Sequence, residues 1–93
     1  MERNFRTWRG EVDIIATDQD LLCFIEVKSW RRVLWPDVAR SVNPRKRSRI
    51  RQTAVAWLAQ RGDHPVAAQL RFDLFLYDPT DGGYEWLKGA LDY

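Results

Sequence analysis

The chain has one cysteine and one histidine among its 93 residues. Cys23 alone closes no intramolecular disulfide, and a thiolate metal centre needs several cysteines, so neither staple holds this chain together. No apolar run approaches the roughly 20 residues of a membrane span. Met1 to Gly10 are polar and basic and carry no apolar signal-peptide core, so the expected address is the cytoplasm, without a membrane partner. Internal repeats are absent. With 45% hydrophobic, 13% aromatic and 30% charged residues, the composition belongs to a globular chain and not to a disordered one. A chain of 93 residues buries one core, so residues 1–93 read as a single domain and a two-domain enzyme is excluded. His64, beside Pro65 in a turn, reads as a surface residue.

The net charge of +2 hides an asymmetry. Met1 to Lys28 hold six acids, whereas Ser29 to Arg51 hold one, Asp37, against eight bases. A basic block of this kind points to an anionic partner.

Glu11–Ala16 and Leu21–Lys28 are apolar, β-branched runs around the polar stretch Thr17–Asp20, the pattern of a β-hairpin. Strand alternation puts Glu11, Asp13 and Ile15 on one face of the first run and Leu22, Phe24, Glu26 and Lys28 on one face of the second. A loop centred on Asp18-Gln19 sets Glu11 opposite Glu26 and Asp13 opposite Phe24. A shorter hairpin precedes it, from Arg3–Arg6 through a turn near Thr7–Gly10. Residues 29–43 read as a loop with a helical turn over Pro36–Arg40. Asn43 as N-cap, Pro44 at the first helical position and Gly62 as the stop define a helix over Pro44–Arg61, with Ile50, Ala54, Trp57 and Leu58 as its buried stripe. Leu70–Asp78 reads as an interior strand, and Tyr84–Tyr93 closes the domain as a short strand or helix after the turn Asp78–Gly83. The order strand, strand, strand, helix, strand is an α/β arrangement with a helix crossing between strands of one sheet.

Carboxylates gathered on one sheet face repel, and burial adds to the cost. Lys28 compensates for one charge, and a hard divalent cation, Mg²⁺ or Mn²⁺ in its place, is the natural compensation for the rest. In that reading Asp13 and Glu26 hold the metal, the Val27 carbonyl adds a ligand, and Lys28 positions water for attack on a phosphodiester while neutralising developing charge. The plain alternative is a solvated strand face, against which Leu22 and Phe24 on the same side argue.

Asn4-Phe-Arg6, Gly10-Glu-Val-Asp-Ile-Ile-Ala16, Phe24-Ile-Glu-Val-Lys28, Asn43-Pro-Arg-Lys46 and Arg71-Phe-Asp73 resemble, in order and spacing, the YraN family of predicted endonucleases. That family is similar to the restriction-endonuclease-like superfamily. The resemblance implies an α/β, restriction-endonuclease-like three-layer core with a mixed central sheet. It carries the D…(D/E)-x-K signature onto Asp13, Glu26 and Lys28, with Glu11 as an additional acid and Gln52 at the position of a helix glutamine. Family members usually begin with a helix ahead of the first strand, and this chain starts directly before that strand. A homodimer covering the face of the missing N-terminal helix is the corresponding expectation.

Arg45, Lys46, Arg47, Arg49 and Arg51 crowd the first turns of the helix, where the macrodipole is already positive and no acid stands three or four residues on. That placement fits a nucleic-acid backbone, DNA above all, better than it fits folding alone. Trp30, in the basic stretch after Lys28, is a candidate for stacking on unpaired bases or for packing under the loop, as is Trp35. The expected function is a metal-dependent nuclease; its rivals are a non-catalytic nucleic-acid-binding module and an interaction subunit derived from that fold.

Overall fold

A computed structural model describes residues 2–7, 10–19, 21–40, 43–62 and 69–92, with side chains from Val12 onward. Five strands, β1 (Glu2–Thr7), β2 (Gly10–Asp18), β3 (Leu21–Ser29), β4 (Leu70–Tyr77) and β5 (Tyr84–Leu87), form one sheet in sequence order. The pairs are antiparallel except β3 with β4, which run parallel. A parallel pair requires a crossover, and here the chain between them supplies a short 3₁₀ turn (Arg32–Leu34), α1 (Trp35–Arg40) and α2 (Pro44–Gln60). This is the mixed sheet of a restriction-endonuclease-like core.

The helix signals work as read. The Asn43 side chain accepts the Lys46 amide at 2.9 Å, Pro44 opens α2, and Gly62 takes φ +75°, which only a residue without a Cβ adopts at little cost. The helical turn expected over Pro36–Arg40 is α1, Trp35–Arg40, and it packs into the core: Trp35 and Val38 are buried with Ile50 and Ala54 of α2 against Phe24, Phe72, Leu74 and Leu76 of the sheet. Trp57 closes this core at its edge, its ring edge-on to Phe24. Tyr84–Leu87 is a strand, which settles the closing element.

The β2–β3 register differs from the expected one by two residues. Asp18 pairs with Leu21 and Ile15 faces Phe24, so the turn is one step later than Asp18-Gln19. Gln19 takes φ +56°, the left-handed backbone that a tight two-residue hairpin needs. A shift of two preserves every side-chain face, so Phe24 still shares its side with Glu26 and Lys28. Pairing ends at Ile14–Ile25, and neither Glu11–Glu26 nor Asp13–Phe24 is a facing pair.

On the outer part of the sheet, Asp73 of β4 is fully buried and accepts hydrogen bonds from Arg71 Nε, Arg71 Nη2, Trp86 Nε1 and the Gly89 amide at 2.8 to 2.9 Å. Arg71 also reaches Asp18 at 2.9 Å. This network ties β4 to β5, to the turn beyond it and to the tip of the β2–β3 hairpin.

Candidate active site

Where the β2–β3 ladder gives out, side chains take over. Asp13 Oδ2 accepts the Val27 amide at 2.8 Å, which brings the Asp13 carboxylate alongside the Glu26-Val27-Lys28 segment. Glu26 lies beside Leu74 in the parallel register, on the face that α2 covers, and its side chain keeps only 13% of its exposure. Lys28 Nζ stands 3.2 Å from Glu26 Oε1, and Lys46 Nζ, from the first turn of α2, stands 3.9 Å from the same oxygen. Burial pushes the Glu26 carboxyl above its ordinary pKa and the nearby Asp13 charge adds to the rise, while the two ammonium groups oppose it. The two lysines crowd each other: Lys28 and burial hold the Lys46 pKa below its ordinary value, whereas that of Lys28 is raised, since the Lys46 nitrogen can accept from its ammonium and Glu26 favours its charge. Two carboxylates and two ammonium groups therefore share one half-buried corner of the fold.

The donors in this corner are oxygens, which suit a hard cation. Among the described residues no group of three or more His, Cys, Asp and Glu side chains converges, so these residues do not by themselves form a closed all-protein cage. Mg²⁺ does not require one: it is ordinarily held by one or two carboxylates, water and substrate phosphate. A nearly buried Glu26 carboxylate with Asp13 alongside its segment fits such a site.

The structure places the remaining sequence candidates as follows. Glu11 pairs through its backbone with Arg6 in the β1–β2 ladder, and its side chain lies outside the described part. Gln52 is exposed and donates to Ser48 Oγ at 3.3 Å, so it is not brought to Glu26. Arg45 and Arg49 are exposed on α2, and Arg47 and Arg51 are half-buried, with the Arg51 guanidinium 5.3 Å from the centre of the Phe72 ring. Trp30 is half exposed next to Lys28, whereas Trp35 is buried.

Lys46, which the sequence puts among the phosphate-facing bases at the start of α2, enters the corner as a partner of Glu26. The signal was available. Lys46 precedes the buried Ile50 and Ala54 by one and two turns, so it begins the stripe that faces the sheet, while Gln52 lies on the opposite side of the helix.

Fold and site together define a mixed α/β, restriction-endonuclease-like protein with an acid–lysine cluster at the opening of its central hairpin. Residues 1–76 match the profile of the family described as "Uncharacterised protein family UPF0102", and the chain belongs to that family, which is the YraN family. It is 39% identical over 83 residues to UPF0102 proteins of Yersinia pseudotuberculosis serotype O:1b (strain IP 31758) and of Yersinia pestis bv. Antiqua (strain Angola). Each alignment covers 89% of this chain and 69% of the relative. No helix among the described residues is long and apolar enough to cross a membrane.

Proposed function

We propose that this protein is a metal-dependent nuclease that hydrolyses phosphodiester bonds of nucleic acid, with DNA as the expected substrate. The observation that carries the reading is the Glu26 carboxylate, nearly buried, bridged to Lys28 and Lys46 and close to Asp13. Asp13, Glu26 and the Val27 carbonyl are the groups that would hold Mg²⁺ or Mn²⁺. A bound divalent ion would supply charge stabilisation at the phosphoryl oxygens and a lowered pKa for attacking water. Lys28, held by Glu26, is aimed by the strand into the same corner and neutralises charge that develops on the phosphate. Lys46 offsets the carboxylate charge from the helix side. Arg45 and Arg49, exposed on the same N-terminal turns, are placed to meet flanking phosphates.

A second reading, a binding module without catalysis, is favoured by two features. Asp13 already accepts a backbone hydrogen bond, and the two lysines already balance the two acids. A nicking assay with Mg²⁺ or Mn²⁺ on linear and branched DNA separates the readings. Glu26→Ala and Lys28→Ala are expected to abolish cleavage while DNA affinity in EDTA stays within about threefold of wild type, because phosphate contacts elsewhere dominate affinity. Cleavage by Glu26→Ala at the wild-type rate would overturn the enzyme reading.

A further inference from the structure

Beside Lys28 a cavity of about 330 Å³ opens between β3 and α1, lined by Lys28, Trp30, Leu34, Asp37 and Val38. Its size falls within the range of small-ligand sites, roughly 300 to 1,000 Å³. Its lining is mostly apolar and aromatic, with Lys28 and the exposed Asp37, paired with Arg40, as its charged members.

Trp30 is the unusual member. Its side of the chain is pinned twice: the Trp30 amide donates to the Tyr77 carbonyl at 2.9 Å, and the Trp30 carbonyl accepts from Trp35 Nε1 at 2.9 Å. Trp35 is itself buried, with the Arg32 guanidinium over its ring. The backbone is thus fixed by the core, yet the Trp30 ring remains 48% exposed and Leu34 37% exposed. A large aromatic left half in water on a fixed backbone leaves apolar area unburied. What such a surface offers is a flat π face at no further ordering cost.

We infer that this cavity receives the base of an unpaired nucleotide adjoining a phosphate drawn to Lys28, with Trp30 as its stacking platform. The inference rests on the nucleic-acid reading of that corner. Continuity argues for the occupant: Lys28 belongs both to the cavity lining and to the Glu26 corner, its ammonium attracts phosphate, and the remaining lining is an apolar slot for something flat attached to that phosphate. Bases within a continuous duplex are stacked on one another and present only their edges, so a slot of this kind is filled by single-stranded, frayed or flipped nucleotides. The protein therefore prefers nucleic acid with single-stranded character over an unbroken duplex.

The test is fluorescence anisotropy in EDTA with a fluorescein-labelled oligothymidylate and a blunt duplex of equal length, on the full chain. Wild type is expected to bind the single strand more tightly. Trp30→Ala loses about tenfold or more on the single strand, the effect of removing one base–aromatic stack, and less than twofold on the duplex. Trp30→Phe retains most of the preference, which guards against a folding defect. Equal binding of the single strand by Trp30→Ala and wild type, or equal losses on both probes with Trp30→Phe no better, would overturn the base slot while leaving the nuclease reading in place. Failure of wild type to bind either probe would overturn both.

Discussion

Asp73 is the residue whose loss the fold should tolerate least. Its carboxylate is fully buried and accepts four hydrogen bonds, two of them from the Arg71 guanidinium, which is itself only 13% exposed. Truncation to Asp73→Ala leaves Arg71 with Asp18 as its carboxylate partner among the described residues and strands the Trp86 indole and the Gly89 amide without their acceptor. Breaking one side of a buried charge pair costs about 3 to 5 kcal/mol, and domains of this size are stable by roughly 5 to 14 kcal/mol. The variant should therefore lose about 4 kcal/mol. With urea slopes of about 1 to 3 kcal/mol per molar, its unfolding midpoint falls by about 2 M, read by circular dichroism. Replacing both partners, Asp73→Leu with Arg71→Met, leaves no uncompensated charge and should cost less than Asp73→Ala alone. A loss below about 1 kcal/mol for Asp73→Ala, or a double variant less stable than the single one, would refute the view that this pair anchors β5 to the sheet.

Two further outcomes follow from the charges. In metal-free protein the Glu26 carboxyl has its pKa raised above 4.5, so between that value and its folded pKa the native state binds more protons than the unfolded one. Stability in EDTA should therefore decline as pH rises through that window, and Glu26→Gln should flatten the decline, as pH-dependent urea melts would show. On α2, Arg45→Ala with Arg49→Ala should weaken DNA binding without altering metal affinity and reduce the slope of log affinity against log salt by about 2, which a salt titration measures directly.

Local chemistry made most of this fold legible. Asn43, Pro44 and Gly62 bracket α2 because capping and the left-handed stop are single-residue properties, and the alternation along β2 and β3 fixes which faces meet. The hairpin register was not legible, since Asp18-Gln19 and the step after it are equally polar and only a positive φ at Gln19 distinguishes them. Long-range partners were hidden for a similar reason. Nothing local to Asp73 marks Trp86 and Gly89 as its donors, and the ambiguous Tyr84–Leu87 becomes a strand because β4 offers it an edge. At the site, Glu26 and Lys28 stood out by shared face, and the periodic link from Lys46 to Ile50 carried the information that α2 contributes a lysine where a glutamine was expected.

The most direct measurement of the central claim is a calorimetric titration of Mg²⁺ and Mn²⁺ into wild type and Asp13→Ala, paired with the nicking assay on the same preparations. Saturable binding in wild type that disappears in Asp13→Ala, with cleavage disappearing alongside it, is the predicted result. Undiminished metal binding by a folded Asp13→Ala protein, or cleavage that persists in EDTA, would contradict a metal-dependent site at Asp13, Glu26 and Lys28.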